Sequence, residues 1–121
     1  MKTKKIIVAD DDPAICDALQ LMLEEEGYAV ETTVDGATIY KMEKELPDLL
    51  LLDIWMSGQD GRDICKYLKK NEKTKHIPII FLSASRDIEQ SARDAGSDDF
   101  LAKPFQMDEL LAKVAKYINY K

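Results

Sequence analysis

The chain has no apolar run approaching the roughly 18 residues that a membrane-spanning helix needs. The N-terminal stretch Met1 to Lys5 is basic but leads into only four apolar residues, Ile6 to Ala9, too few for the core of a secretory signal. There are two cysteines, Cys16 and Cys65, with no CxxC spacing and no disulfide framework, as expected of reduced thiols in a cytosolic protein. Positive charge is in deficit. The net charge of −6 argues against a general binder of nucleic acid or of anionic membranes, because phosphate contacts need a basic face. The single histidine, His76, precedes Ile77-Pro78 in a polar stretch and reads as a solvated loop residue. Repeats, linkers and low-complexity stretches are absent.

What is present is an ordinary core composition, 45% apolar and 33% charged. With 121 residues this suits one domain with one proper core. Five short apolar runs alternate with longer mixed segments: Ile6–Ala9, Ala29–Thr33, Leu49–Leu52, Ile79–Leu82 and Phe100–Ala102. Four are apolar throughout, as strands buried on both faces of a parallel sheet are. Ala29–Thr33, with Glu31 and two threonines, reads as an edge strand.

The intervening segments read as helices. Asp12 and Pro13 suit the cap and first position of the first helix, whose Ile15, Leu19, Met22 and Leu23 recur at helical spacing, and Gly27 closes it. A second should start near Asp35 and stop before Pro47. A third should run from about Gly61 to Asn71, a fourth from about Arg86 to Ala95, and a fifth from about Gln106 with Leu110, Leu111, Val114 and Ile118 on one side. The fourth has only Ile88 as a large apolar anchor. Fivefold strand–helix alternation predicts an α/β domain with a parallel sheet and helices on both faces. Cys16 and Cys65 fall on helices and read as small core residues.

The unusual residues follow the strands. Asp10-Asp11-Asp12 follow the first run, Asp53 the third, Ser83 the fourth and Lys103-Pro104 the fifth. In a parallel sheet these positions share one edge, where open α/β sheets bind ligands. Asp12 alone reads as a cap, and Ser83 or Lys103 alone would be unremarked; their joint placement is informative. Like-charge pairs among Asp10, Asp11 and Asp53 at about 4 Å would each cost on the order of 4 kcal/mol at an effective dielectric near 20. A hard divalent cation relieves that, and carboxylate oxygens suit Mg²⁺. With a nucleophilic carboxylate, the fixed cation of Lys103 and the hydroxyl of Ser83, such a site can stabilise a phosphoryl group transferred onto an aspartate.

These segments, Ile6 to Asp12, Leu50 to Met56, Ile79 to Ala84 and Leu101 to Phe105, resemble the receiver domain of two-component response regulators, in order and spacing over essentially the whole chain. The resemblance implies a three-layer (βα)5 flavodoxin-like fold with strand order 2-1-3-4-5, the order the chemotaxis receiver exemplifies. It implies Asp53 as phosphoacceptor, with Mg²⁺ held by Asp10, Asp11, Asp53 and the Trp55 backbone carbonyl. Ser83 and Lys103 would bind phosphoryl oxygens, Ser83 and Phe100 would act as switch residues, and Lys103-Pro104 would be cis. The implied phosphodonor is a sensor histidine kinase or a histidine phosphotransfer protein. The implied output is a phosphorylation-dependent change in partner binding, or homodimerisation, through the face of the fourth helix, fifth strand and fifth helix. The expectation is one receiver domain over 1–121 without an output domain, cytoplasmic, not an enzyme beyond its own phosphorylation and dephosphorylation, and with no direct nucleic-acid or membrane contact. Ser57 stands where the family usually has proline, so the loop after Asp53 is expected to be looser. Trp55 is bulkier than most residues at its place and is expected at the rim of the site, opposite Ser85.

Three other functions fit parts of the pattern. A phosphatase of the haloacid-dehalogenase type would use Asp10-x-Asp12 and the later pair Asp98-Asp99, but Ala14, the order of Lys103 and the chain length count against it. A flavin carrier would need a Ser/Thr/Gly phosphate loop where the aspartates stand. A phosphorylation-independent interaction module would not require Asp10, Asp11, Asp53, Ser83 and Lys103 together.

Overall fold

Runs of branched and large apolar side chains cannot leave water without pairing their backbones, and here they pair in parallel. The computed structural model describes residues 3–42, 45–56, 58–84 and 87–118. Its main sheet contains β1 (Lys5–Ala9), β2 (Ala29–Thr33), β3 (Leu49–Asp53), β6 (Ile79–Ser83) and β7 (Asp99–Ala102) in the order β2-β1-β3-β6-β7, all parallel. Counting only these five, the order is the expected 2-1-3-4-5. β3, in the middle, is buried at every residue. Alternate residues serve opposite faces. Ile6, Val8, Leu49, Leu51, Ile80 and Leu82 pack with helices α1 (Pro13–Glu25) and α5 (Met107–Ile118). Ile7, Ala9, Leu50, Leu52, Ile79 and Phe81 pack with α2 (Gly36–Tyr40), α3 (Gly61–Lys70) and α4 (Ile88–Ala95). Cys16 and Cys65 sit one in each core, and His76 is exposed in a turn.

Ala29–Thr33 lies at an edge as expected, but so does the fifth run. Phe100 is half-buried and Ala102 exposed, because β7 has a neighbour on one side only. Asp12 caps α1, accepting from the Ala14 amide at 3.0 Å, and Gly27 beyond its end has φ +96°. α2 is far shorter than the sequence predicts. Asp35 caps it through the Ala37 amide at 2.8 Å, yet it ends at Tyr40, after Thr38, Ile39 and Tyr40 in succession, side chains that lose rotamer freedom in a helix. α4 is first helical at Ile88; Arg86, the predicted start, lies outside the described residues. Between β3 and α3 stands an antiparallel hairpin, β4 (Trp55–Met56) and β5 (Gln59–Asp60), with Gly58 at φ +82°. Two-residue strands leave no alternation in a sequence to read. Ser57, expected to loosen this loop, lies outside the described residues.

The five helices among the described residues are unequally anchored. α4 buries Ile88, Ala92 and Ala95 and α2 buries Gly36 and Ile39, whereas α5 buries Leu110, Val114 and Ile118, and α1 Cys16, Leu19 and Leu23. At about 25 cal/mol per Å² of apolar surface, α2 and α4 are the weakly held elements. Amide exchange is expected to be faster in α2 and α4 than in α1 and α5; protection in α4 equal to that in α5 would contradict this.

Candidate active site

Because the strands are parallel, their carboxyl ends share one edge, and β1, β3, β6 and β7 deliver Asp10, Asp53, Ser83 and Lys103 there. Asp10 is fully buried, Asp53 is 8% and Ser83 3% exposed, and Asp11 faces solvent. One carboxylate oxygen from each of Asp10, Asp11 and Asp53 lies within 4.8 Å of the others. Lys103 Nζ is 2.8 Å from Asp10 Oδ2 and 3.7 Å from Asp53 Oδ1. The lysine thus sits between the two buried carboxylates, nearer Asp10. Asp10 is further fixed by the Asp12 amide, which donates to Oδ1 at 3.0 Å, and by the Cys16 thiol under its carbonyl at 3.2 Å. The Lys103 amide donates to the Ser83 carbonyl at 2.8 Å, locking together the strand ends that carry these two residues. The Lys103–Pro104 peptide is cis.

The Asp53 carboxyl is pushed up to about 6. Burial is the main cause and the Asp10 carboxylate adds to it; Lys103 opposes, Asp11 adds again, and the Trp55 amide, bonded to the carboxylate, opposes. Its charged form is therefore costly to hold in this site.

The remaining candidates divide. Asp12 is a cap. Phe100 is half-buried on the edge strand, with Lys113 Nζ 6.0 Å from its ring centre and Lys113 held by Asp99 at 3.0 Å. The Trp55 indole is 58% exposed and lies under the Arg62 guanidinium, 5.2 Å from the ring centre. Arg62 is itself gripped by Asp60, Nη2 to Oδ2 at 2.6 Å. This Asp60–Arg62–Trp55 cluster has no precursor in the sequence beyond a helix cap. Ser85 lies outside the described residues. The acidic pair a phosphatase would need is misplaced. Asp98 and Asp99 are at the amino end of β7, and Asp98 Oδ2 accepts from Lys69 Nζ at 2.7 Å and from the Ile79 amide at 2.8 Å.

Clustered carboxylates and one lysine thus lie at the carboxyl edge of a doubly wound sheet, the edge where open α/β domains bind ligands. Residues 6–115 match the model of the response regulator receiver domain, and the chain belongs to that family. It is 40% identical over 113 residues to the DNA-binding dual master transcriptional regulator RpaA of Synechocystis sp., an alignment covering 91% of this chain and 47% of that protein. The chain spans half or less of the curated relatives it matches. A putative response regulator from Chloroflexus aurantiacus superposes with a TM-score of 0.90 at 34% identity, covering 98% of this chain and 100% of that one. Response regulator TrrA of Thermotoga maritima, solved in complex with Mg²⁺-BeF, superposes at 0.84 with 36% identity over 95% and 99% of the two chains.

The Asp53 shift has a stability consequence. The folded state keeps a proton between the ordinary carboxyl value of 3.8 and about 6 that the unfolded chain has lost. Stability therefore falls as pH rises through that window, by roughly 3 kcal/mol in all, and stays lowered above it. With divalent ions chelated, Asp53→Asn should raise the melting temperature by several degrees at pH 7.5 and by little near pH 4. Lys103 keeps Asp10 as its partner in that variant. Equal shifts at both pH values would contradict the assignment.

Proposed function

We propose that this chain is a phosphorylation-dependent signalling switch in which Asp53 takes a phosphoryl group from the phosphohistidine of a sensor histidine kinase or a histidine phosphotransfer protein. The carrying observation is a buried Asp53 carboxyl 3.7 Å from the Lys103 ammonium and clustered with two further carboxyl groups. An Asp53 oxygen attacks phosphorus in line. The phosphorus–nitrogen bond to the donor imidazole breaks, and the ring leaves as neutral imidazole once protonated. Lys103 is close enough to pair with an oxygen of the group on Asp53, and Ser83 at the neighbouring strand end offers its hydroxyl to another.

The donor set fits Mg²⁺. It is all hard oxygen, and the spread of up to 4.8 Å is comparable to the roughly 4.2 Å between opposed ligands of an Mg²⁺ octahedron. Asp10, Asp11 and Asp53, with the Trp55 carbonyl, would hold the ion, which when bound supplies positive charge to the phosphoryl oxygens.

In this reading Ser83 and Phe100 form the switch, and the surface of α4, β7 and α5 presents the result to a protein partner or a second copy. Residues 1–121 act as one receiver unit and catalyse only their own phosphorylation and dephosphorylation. No described helix is long and apolar enough to cross a membrane; cytoplasmic residence belongs to the proposal, through the kinase.

Incubation with a small phosphodonor and Mg²⁺ should add one labile phosphate mass to the protein and none to Asp53→Ala. Labelling that survives the substitution would sink the assignment. Millimolar Mg²⁺ should raise the melting temperature, since it binds the native state alone. Asp11→Ala should abolish most of that rise; a response equal to wild type would remove Asp11 from the metal set.

A further inference from the structure

Helix α3 starts against the backbone of the proposed acceptor. Gly61, its first residue, is buried, and its amide donates to the Ile54 carbonyl. A Cβ on Gly61 would lie 2.3 Å from the Asp53 carbonyl oxygen and 3.0 Å from the Ile54 Cα. Gly61 is not among the glycines with positive φ, so space, not backbone conformation, demands glycine here. The obstructing atoms are main chain, which cannot swing aside as a flexible side chain can. On its other side the same peptide is tied to β6, where the Ile54 amide donates to the Leu82 carbonyl at 3.3 Å. The helix end is rigid in turn, because Asp60 caps it through the Arg62 amide at 2.9 Å and clamps the Arg62 guanidinium.

The Asp53–Ile54 peptide is therefore gripped between β6 and the end of α3. The Asp53 carboxylate hangs from it, and the peptide that follows supplies the Trp55 amide that bonds to that carboxylate. From this we infer that Gly61 is a positioning residue for phosphoryl transfer. The absence of its side chain seats α3 on the acceptor's own peptide and fixes the Asp53 carboxylate relative to Lys103. The inference rests on the reading of Asp53 as acceptor. A methyl group at position 61 displaces that peptide, and misplacement of a reacting group by about 1 Å can cost around 100-fold in rate.

The test compares Gly61→Ala with Gly27→Ala. Gly27 has φ +96° with nothing within 4 Å of its would-be Cβ and lies past the far end of α1, so alanine there strains the backbone without touching the site. Two readouts are taken. In chelated protein, the backbone amide shifts of Asp53, Ile54 and Trp55 should move in Gly61→Ala and stay in place in Gly27→Ala. With a small phosphodonor at saturating Mg²⁺, labelling of Gly61→Ala should slow at least tenfold while Gly27→Ala stays within about twofold of wild type. Unmoved amides, or a labelling rate within twofold of wild type, overturn the inference. Should Gly61→Ala fail to fold, Asp60→Ala frees the same helix end without a clash. It should move the same amides and slow labelling several-fold; wild-type behaviour in both readouts overturns the inference. Absence of labelling in wild type would be a failure of the acceptor reading instead, and the metal-free amide shifts judge the packing claim independently of it.

Discussion

Two carboxylates packed at the end of a hydrophobic sheet, with one ammonium between them, are the constraint on which the site depends. Asp10 has lost all contact with solvent and Asp53 nearly all, so neither can be screened by water. Lys103 compensates Asp10 at 2.8 Å and Asp53 more loosely at 3.7 Å. Burial is the main cause of the raised Asp53 carboxyl, the Asp10 carboxylate adds to it, and the more distant Lys103 offsets it only in part. Asp10 has a short ion pair and the Asp12 amide, whereas Asp53 has a distant cation, the Trp55 amide and a like charge beside it. The cluster is unfavourable by itself. The amide of Lys103 is tied to the Ser83 carbonyl at the end of β6, so the strand ends that carry these two side chains are held together.

The fold was legible in the sequence where burial and strand identity coincide. Leu49–Leu52 and Ile79–Leu82 read as central strands and are, and Asp12-Pro13 read as a helix start and are. The site was legible because parallel strands carry the residue after each strand to a common edge, a consequence of topology that needs no coordinates. Other features depend on tertiary context. α2 ends early at Thr38, Ile39 and Tyr40, a run that weakens a helix without forbidding one. The β4–β5 hairpin is too short for periodicity. The preference of Lys103 for Asp10 is a choice between two carboxylates within reach, decided by about an ångström. Gly61 reads in sequence as a helix start; its contact with Asp53 exists only when α3 docks.

The same residue type has opposite uses at the two ends of the sheet. At the amino ends of two strands, an aspartate from another segment accepts from the backbone amide of the first strand residue. Asp48 accepts from the Lys5 amide and Asp98 from the Ile79 amide, each at 2.8 Å, and both carboxylates are spent on the frame. At the carboxyl ends Asp10 and Asp53 are buried beside one another. An aspartate placed there must find a cation, an amide from the following turn or a proton. Asp10 finds Lys103 and the Asp12 amide; Asp53 finds the Trp55 amide and a share of Lys103. The phosphatase arrangement fails on this point, since its second acidic pair lies on the end where carboxylates serve as structural acceptors. Chemistry that needs an under-compensated carboxylate belongs at the carboxyl edge, and among the described residues Asp53 is the one the structure leaves in that condition.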